Sequence, residues 1–378
     1  MARFVRTLAR RILIALNIVV VVLFLLACSN AWLHPAEWWY ISLLGLGFPF
    51  ILILVIVFLA IWISVRSRWA LLSLVALLLG FTNIRAFFGF HFNDRFRAEK
   101  EKDAIRILTW NIEWFGEHQK TKYGKDNRKK MLEFIQKQNA DILCFQEFLE
   151  PGKTVARSNE EAIRKLHYPY HYRVIDYGRK NGPYEVGVAI FSRYPIVDTM
   201  HIRYPGPETM RAAESLIAAD VAIAGKTFRF FTTHLQSVLF GSTDYRNLEI
   251  IKNADDSLIT ASKSIIRKLR QGYALRGYQA DLVRQHLDAS PYPAIICGDF
   301  NDVPNSYTYF RIRGNRQDAF ISSNSGVGRT YAHLSPTLRI DYILADPAFE
   351  VLQCRRFQLP YSDHYPVVAD VRLADSGK

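Results

Sequence analysis

The sequence contains little cysteine, and its cysteines are not spaced for metal binding. Four occur in 378 residues, no two of them form a C-x-x-C pair, and an H-E-x-x-H pattern is also absent. These absences argue against a thiolate zinc site and a protease-type zinc site. Cys144 and Cys297 lie in apolar, strand-like runs, and we expect them to be small buried hydrophobes. The cysteine content is compatible with either a reducing or an oxidising compartment.

A concentrated block of positive charge is also missing. The formal net charge is +13, and it is divided about evenly between the first hundred residues and the rest of the chain. This distribution excludes a basic nucleic-acid-binding tail. The thin positive surplus over the larger part of the chain is compatible with a polyanionic or phospholipid substrate, without requiring one.

Charge is absent altogether from long stretches near the N terminus. Ile12–Cys28 is an uncharged apolar run and Trp38–Val65 is a longer one, where about 20 residues suffice to cross a bilayer. A third run, Trp69–Ile84, is shorter and contains Asn83 near its end. We therefore expect about three transmembrane helices, with a buried soluble helix as the alternative for the third run.

The arginines around these runs predict their orientation. Several arginines precede the first run, and Arg66 and Arg68 separate the second from the third, which fits a cytoplasmic N terminus. Three crossings would place the chain after Ile84 on the non-cytoplasmic side of a bacterial inner membrane, whereas two would leave it in the cytoplasm. A cleaved signal sequence ending near Cys28 is a further alternative and predicts the same sidedness as three crossings.

The remaining residues predict a layered α/β domain. A charged, polar connector at 93–103 separates it from the transmembrane helical region at 1–92, so we place the domain at 104–378. Short apolar runs alternate with a few helical patterns, at spacings too irregular for a βαβ series. We expect two packed sheets with helices outside them, an α/β sandwich. The strand-like runs are 105–110, 142–145, 186–191, 228–233, 295–299, 339–344 and 366–371, and the helical patterns are 126–138 and 257–288.

One of these strands ends in an abrupt change to polar residues. The apolar run Ile295–Cys297 is followed by Gly298, Asp299 and Asn301, which are typical of a strand end and a turn. Asp299 and Asn301 are two residues apart, so they project from the same face of an extended backbone. A carboxylate and an amide in that position suit the placement of a water beside a phosphate. An aspartate after a strand is also a common turn or cap, so this motif alone does not establish a site.

Polar residues able to do chemistry follow several other predicted strands. In chain order the set is Asn111, Glu147, His234, Asp299, Asn301, Asp341, Asp363 and His364. Hydrolysis of a phosphate ester needs a hard cation, which carboxylate and amide oxygens bind, and groups that activate water and stabilise the phosphoryl oxygens. Each residue also has a structural interpretation, such as an ion pair of Asp341 with Arg339 or Arg329. Their co-occurrence at strand ends indicates a hydrolytic site.

Six motifs contain these residues: T-W-N-I at 109–112, F-Q-E at 145–147, T-H-L at 233–235, G-D-F-N at 298–301, R-I-D-Y-I at 339–343 and S-D-H-Y-P-V at 362–367. Together they resemble the motifs of the endonuclease/exonuclease/phosphatase superfamily, which includes DNase I-like nucleases, sphingomyelinases and inositol-phosphate phosphatases. The resemblance covers about Ala104 to Leu373 and follows the order of the motifs in the family. It implies a DNase I-like two-sheet sandwich and makes 104–378 a catalytic domain.

The resemblance also implies a metal site and a site for water activation. Glu147, helped by Asn111 and Asp363, would bind Mg²⁺, with Mn²⁺ as the alternative ion. Asp299 would orient or deprotonate the attacking water. Asn301 would position that water and the phosphate.

Further roles follow from the same resemblance. His364, oriented by Asp341, would act as a general base or as a phosphate clamp. His234 would stabilise the charged transition state. Glu185 is a candidate to orient His234, and Arg211 is a candidate to contact the phosphate.

Three functions remain open at this stage. The first is a membrane-anchored, Mg²⁺-dependent phosphodiesterase of nuclease type, because R-I-D-Y at 339–342 is closer to the nucleases than the Cys-Asp-Arg segment of the inositol phosphatases. The second is a phospholipid phosphodiesterase of sphingomyelinase type. The third is a catalytically silent membrane adaptor, which the intact set of acids and histidines disfavours.

Two further patterns bear on the substrate. A basic helical face and a group of tyrosines could bind the backbone and the bases of a nucleic acid. The same face could instead be solvated or contact anionic lipid, and clustered tyrosines are often packing residues. The basic residues are Lys263, Arg267, Lys268, Arg270, Arg276 and Arg284, and the tyrosines are Tyr168, Tyr170, Tyr172 and Tyr177.

Overall fold

Four helices occupy most of the N-terminal region. The computed structural model describes residues 2–92, 96–116, 124–152, 157–178, 183–205, 215–238 and 258–374. Helices α1 (Ala2–Ser29) and α2 (Trp39–Ser64) are each long and apolar enough to cross a membrane. They are followed by α3 (Ala70–Leu79) and α4 (Phe81–Phe87), which are both too short to do so alone.

The third apolar run forms a bent pair of helices and not one continuous span. Helices α3 and α4 meet at 64° across Gly80. A Cβ atom on Gly80 would lie 2.5 Å from the ring of Phe24 and 2.9 Å from Sγ of Cys28, so the chain approaches α1 closely at the bend. The expectation of about three transmembrane helices is therefore corrected to two span-length helices and one broken pair.

The rest of the chain forms two large sheets and their connecting helices. In chain order the strands are β1 (Gly89–Phe90), β2 (Ile105–Asn111), β3 (Ile142–Pro151), β4 (Tyr170–Arg173), β5 (Tyr177–Gly178), β6 (Tyr184–Ser192), β7 (Ile196–Arg203), β8 (Ser215–Ile223), β9 (Lys226–His234), β10 (Ala294–Asp299), β11 (Gln317–Asp318), β12 (Ser325–Gly326), β13 (Asp341–Ala345), β14 (Phe349–Arg356) and β15 (Val367–Leu373). The described helices of this part are α5 (Gly124–Gln138), α6 (Asn159–Arg164), α7 (Leu258–Asp288), α8 (Tyr307–Arg313) and α9 (Ala319–Ser323), with a 3₁₀ turn at Glu113–Gly116.

The strand orders define a sandwich. One sheet has the order β11-β13-β10-β9-β8-β7, and the other has the order β14-β15-β2-β3-β6-β4, with β5 beside β6. Apolar side chains of both sheets share one buried core, to which Ile107 and Cys144 contribute from one sheet and Phe230 and Cys297 from the other. The predicted two-sheet α/β sandwich is confirmed, and so is the burial of Cys144 and Cys297.

Helices cover the outer faces of the two sheets. Met131 and Ile135 of α5 pack on the sheet that contains β2 and β3. Val283 and Leu287 of α7 pack on the sheet that contains β9 and β10. The central strands are therefore buried on both faces, which explains why they appear in the sequence as continuous apolar runs.

The direction of the central strands determines where the polar residues gather. Strand β2 runs parallel to β3, and β9 runs parallel to β10. The carboxyl ends of each parallel pair therefore lie at one edge of their sheet, and the residues that follow the apolar runs meet there.

Candidate active site at the sheet edges

Three of the predicted residues are neighbours in one sheet. Asp299, at the end of β10, is paired with His234 at the end of β9 and with Asp341 at the start of β13. Because β13 runs antiparallel to β10, its first residue lies beside the last residue of β10. Gly298 has a φ of +144°, and a Cβ atom there would collide with the carbonyl group of Thr233. The site therefore needs glycine immediately before Asp299.

Asn111 connects this sheet edge to the other one. Its Nδ2 atom donates to Oε1 of Glu147 and to Oδ2 of Asp299, at 3.2 Å in each case. Glu147 reaches this position because the pairing of β3 with β6 shifts between Phe145 and Phe148, and Glu147 itself has a φ of +51°. A β-bulge of this kind re-aims a side chain relative to the rest of its strand.

His364 and Asp341 form a second buried pair. Nδ1 of His364 lies 3.0 Å and 3.1 Å from the two carboxylate oxygens of Asp341, and Nε2 lies 3.6 Å from Oδ2 of Asp299. Thr330 Oγ1 accepts the backbone N–H of Asp341 at 3.1 Å. Nε1 of Trp110 donates to the carbonyl oxygen of His364 at 2.9 Å. These contacts hold the imidazole so that its Nε2 atom faces Asp299.

The remaining predicted residues join the same network in different ways. Nε2 of His234 lies 3.4 Å from Oδ2 of Asp299, and Oδ1 of Asp363 lies 3.9 Å from Nε2 of His364. The backbone N–H of Asn301 donates to Oδ1 of Asp299 at 2.8 Å. Its side-chain amide instead donates to the carbonyl oxygen of Leu235 at 2.9 Å. The structure thus brings all eight predicted residues together, with the amide nitrogen of Asn301 already bound to the backbone.

Burial and neighbouring charges shift the pKa of two groups in this network. Burial raises the pKa of Asp299, and the carboxylate of Asp341 adds to the rise, while His364 and His234 act in the opposite direction. Burial disfavours a proton on His364, but Asp341, Asp299 and Asp363 outweigh it and raise the pKa of His364 well above its ordinary value. The three carboxylates therefore favour the protonated form of the His364 imidazole, in which Nε2–H is a hydrogen-bond donor.

The oxygen atoms of the site suit a hard divalent cation. The carboxylates of Glu147 and Asp299 converge on the amide nitrogen of Asn111, and carboxylate oxygens are ligands that Mg²⁺ prefers. The amide oxygen of Asn111 accepts the backbone N–H of Glu113 at 3.1 Å. Asp299, Asp341 and His364 also offer ligand atoms within 4.8 Å of one another. Glu147, Asn111 and Asp363 stay the predicted metal ligands.

The structure adds residues to which the sequence had assigned no role. Gln146 donates its side-chain amide to Thr232 Oγ1 at 2.8 Å and to Thr109 Oγ1 at 3.2 Å, and it thereby joins the two sheets beside the site. The F-Q-E motif contains Gln146, but no sequence signal predicts a partner in the opposite sheet. Trp110 is similar, because its motif gives no indication that its ring nitrogen binds the His364 backbone.

Asp176 is a further buried acid, close enough to His234 to interact with its charge, to which the sequence had assigned no role. Oδ1 of Asp176 accepts Ser215 Oγ–H at 2.6 Å, and that hydroxyl lies 2.8 Å from Nε2 of His201. Burial raises the pKa of Asp176 to about 6, and His234 is among the groups that act in the opposite direction. Glu185, the sequence candidate for orienting His234, accepts from Nη2 of Arg173 at 3.1 Å. Arg211 lies outside the described residues.

Comparisons with known proteins agree with this geometry. The model of the Endonuclease/Exonuclease/phosphatase family matches residues 108–364, and a model described only as a domain of unknown function matches residues 10–87. No curated protein matches the chain. Members of the matched family are hydrolases that generally use a divalent metal.

Solved structures share the fold. An endonuclease/exonuclease/phosphatase from Beutenbergia cavernae is 20% identical with a TM-score of 0.51, and the match covers 72% of each chain. The human Nocturnin catalytic domain with bound sulfate anion is 21% identical with a TM-score of 0.50, over 72% of this chain and 94% of that one. Because the family model spans more than half of the sequence, this chain belongs to the endonuclease/exonuclease/phosphatase family.

Proposed function

We propose that this protein is a membrane-anchored, divalent-metal-dependent phosphodiesterase, nuclease-like, that cleaves a P–O bond by attack of water. The observation that carries the proposal is the position of the Asn111 amide nitrogen, 3.2 Å from carboxylate oxygens of both Glu147 and Asp299. Two carboxylates and a protonated imidazole meet there at the edges of two sheets. That combination serves cation binding, water activation and charge stabilisation in one place.

The metal would be held by Glu147 with Asn111 and Asp363. Bound there, Mg²⁺ or Mn²⁺ would neutralise negative charge on the phosphate and its leaving oxygen.

Asp299 is the residue best placed to act on the attacking water. Its Oδ1 atom is fixed by the backbone N–H of Asn301, and its Oδ2 atom faces Asn111 and the two imidazoles. Burial raises the pKa of its carboxyl group, which makes the carboxylate a stronger base than an exposed aspartate. Oδ2 can therefore orient a water and accept its proton.

The two histidines would act on the phosphate oxygens. His364 carries the proton that Asp341 and its neighbours stabilise, so its Nε2–H can donate to a phosphoryl oxygen as charge builds up. Asp341 fixes the ring orientation through Nδ1. His234 lies on the other side of Asp299 in the strand register and would stabilise the same charge.

Nucleic acid is the first substrate class that we propose. This choice rests on the R-I-D-Y segment at 339–342. Tyr170 is 40% exposed, but it pairs with Ser192 opposite Ile142, at the end of the sheet away from Glu147, so it does not line the site. Tyr168 is fully buried and donates its hydroxyl to the carbonyl oxygen of Ala140, so it is a packing residue. Arg276 is likewise buried against Asp302, which removes it from the basic face of α7.

A membrane phospholipid is the second candidate. The observation that favours it is the contact between the N-terminal helices and the loop after Asp299, where Asn30 donates to the carbonyl oxygen of Asn305 at 2.7 Å. A catalytic loop fixed at the end of a membrane-length helix is close to lipid headgroups. The contact lies at the C-terminal end of α1. If the N terminus is cytoplasmic, this end of the helix is on the non-cytoplasmic side, which supports that location for the domain.

A substrate panel tests the function. Full-length protein in detergent or nanodiscs is offered single- and double-stranded DNA, RNA, sphingomyelin and phosphoinositides, each with Mg²⁺ or with a chelator. We expect Mg²⁺-dependent cleavage of nucleic acid. Hydrolysis of lipid alone would reverse the order of the two substrate classes, and turnover of none of them would favour a silent adaptor. A reporter fused after Asp103 tests sidedness, because activity only in the cytoplasm would reject the non-cytoplasmic assignment.

A further inference from the structure

Three asparagines join the N-terminal helices to the loop that follows Asp299. Nδ2 of Asn305 donates to the carbonyl oxygen of Ala27 at 3.0 Å, and its Oδ1 accepts from Nδ2 of Asn83 at 2.6 Å. Its backbone carbonyl accepts from Nδ2 of Asn30 at 2.7 Å. Asn83 donates in addition to the carbonyl oxygen of Cys28 at 3.0 Å. Both polar groups of the Asn305 side chain are therefore hydrogen-bonded to the N-terminal helices.

These bonds lie in a place that excludes water. Asn30 and Asn83 are each 1% exposed, and Asn305 is fully buried. A buried amide that loses its hydrogen-bond partner is destabilising, because its desolvation is no longer offset by a bond. The arrangement in which all three asparagines are bonded is therefore strongly favoured. The position of Asn305 is thereby tied to the ends of α1 and α4.

Helix α2 makes a second, independent contact with the same loop. A Cβ atom on Gly45 would lie 2.6 Å from the carbonyl oxygen of Asn305 and would collide with the side chain of Asn30. The helix thus approaches the loop as closely as a residue without a side chain permits. Gly47, two residues along the same helix, has space, since a Cβ atom there would meet only Cδ1 of Ile51 at 3.9 Å.

The loop that is held in this way leads directly to the catalytic residues. Asn305 follows Asp299 by six residues, and the carbonyl oxygen of Asp302 between them accepts the Tyr342 hydroxyl at 2.9 Å. Tyr342 is the residue after Asp341. The loop after Asp299 and the start of β13 are therefore packed together on the side that faces the helices.

The segment before Asp341 is also hydrogen-bonded to the N-terminal helices. Nη2 of Arg339 donates to the carbonyl oxygen of Ala86 in α4 at 2.6 Å, while its Nη1 binds the carboxylate of Asp318 at 2.5 Å. Arg339 is 1% exposed and lies two residues before Asp341. Both the Asp299 motif and the Asp341 motif are therefore supported from the side of the N-terminal helices.

We infer that the N-terminal helices are a structural part of the active site, in which Asn83, Asn30 and Gly45 act as positioning residues for the Asp299 loop through Asn305. This inference rests on the proposed function for its catalytic consequence. The helices then do more than anchor the enzyme, because they set the geometry between Asp299 and the Asp341–His364 pair. A displacement of this loop should lower the rate of the chemical step more than the affinity for substrate.

The first experiment compares two glycine substitutions in full-length protein. Gly45→Ala should lower kcat on a phosphodiester such as bis(p-nitrophenyl) phosphate by about tenfold or more, with KM changed less than about twofold. Gly47→Ala is the matched control and should leave both values unchanged, because alanine is favoured over glycine in a helix and meets no backbone there. Equal effects of the two substitutions would overturn the inference.

A second pair keeps the test valid if Gly45→Ala does not fold. Asn83→Ala removes the bond to Asn305, whereas Ser73→Ala removes a buried bond of 2.9 Å to Asn17 Oδ1 within the helices, away from the loop. Hydrogen exchange measured by mass spectrometry should rise at residues 300–306 in Asn83→Ala and stay at the wild-type level there in Ser73→Ala. Wild-type exchange at 300–306 in both variants would overturn the inference.

The exchange readout separates this inference from the proposed function. If the wild-type protein hydrolyses no phosphodiester, the proposed function fails, and the exchange pattern decides alone whether the helices hold the loop. If the wild-type protein is active and Asn83→Ala shows faster exchange at 300–306 without a lower kcat, the helices support the loop but do not position the catalytic residues, which also contradicts the inference.

Discussion

The side-chain amide of Asn111 lies 3.2 Å from Oδ2 of Asp299, although the two residues belong to different sheets. This bond joins the two sheets at the carboxyl ends of their parallel strands. The relative position of the two sheets therefore fixes the distance between the candidate metal ligands and the candidate base. Gln146 strengthens the same relationship with its bonds to Thr109 in its own sheet and to Thr232 in the opposite one.

Glu147 should determine the metal requirement. Glu147→Gln replaces a charged oxygen ligand by an amide, so the Mg²⁺ concentration for half-maximal rate should rise by at least about tenfold. A Mg²⁺ titration of the hydrolysis rate measures this. Glu150→Gln is the matched control on the same strand, since the Glu150 carboxylate binds the backbone N–H of Glu160 and not the site. An unchanged titration curve for Glu147→Gln would remove this residue from the metal site.

Asp341 should act through His364 and not on the substrate. Asp341→Asn removes the carboxylate that orients and charges the imidazole, so we expect kcat to fall about a hundredfold or more with little change in KM. Steady-state kinetics on the same substrate measure both values. Asp346→Asn is the control, because Asp346 directly follows the other end of β13 and caps the backbone of Ala348. Equal effects of the two substitutions would contradict the assigned role.

Asp176 should make the protein less stable as the pH rises from about 4 to about 6. Burial raises the pKa of Asp176 from 3.8 to about 6, so the folded chain keeps a proton over this range that the unfolded chain releases. The stability contributed by the neutral acid is complete below about pH 4 and is lost by about pH 6, at most about 3 kcal/mol.

Asp176→Asn should remove this dependence and raise the melting temperature at pH 7. The amide cannot ionise, and its oxygen can still accept the Ser215 hydroxyl. Thermal unfolding of the two proteins at pH 4 and pH 7 measures the effect. The exposed Asp198→Asn serves as the control and should change stability by less than about 0.5 kcal/mol at either pH. A wild-type pH dependence in Asp176→Asn would assign the effect to another group.

The central strands could be predicted from the sequence because burial on both faces produces continuous apolar runs. Strand β10 is an example, since all six of its residues are buried. Strand β8 was missed because its apolar pattern is interrupted by Asp220, which pairs with Arg229 on the neighbouring strand at 2.6 Å. The edge strand β7 was missed because five of its eight residues are exposed and it has no buried run.

The site could be predicted as a set of residues but not as an arrangement. Asp299, His234 and Asp341 could be predicted because each lies next to an apolar, strand-like run. Their adjacency depends on the order of the strands in the sheet. The position of Glu147 depends on a bulge that the apolar sequence of β3 does not indicate. The side-chain amide of Asn301 faces Leu235 because the residue has a φ of +51°, whereas the prediction assumed extended backbone.

The contact between the N-terminal helices and the loop after Asp299 could not be predicted from the sequence. Apolar composition identified α1 and α2 as candidate membrane spans, and a polar connector suggested an independent domain after them. The bonds of Asn305 to Ala27 and Asn83 join residues more than 200 positions apart, and no local pattern encodes such a pairing.

The most direct test of the proposed active site is the hydrolysis rate after substitution of Asp299. The rate of Mg²⁺-dependent hydrolysis is compared between full-length wild-type protein and Asp299→Asn, with size-exclusion elution and melting temperature recorded for both. We predict a folded variant whose rate is lower by about a thousandfold, because the amide cannot accept the proton of the attacking water. A folded variant that hydrolyses the substrate at the wild-type rate would contradict the assignment of this sheet edge as the active site.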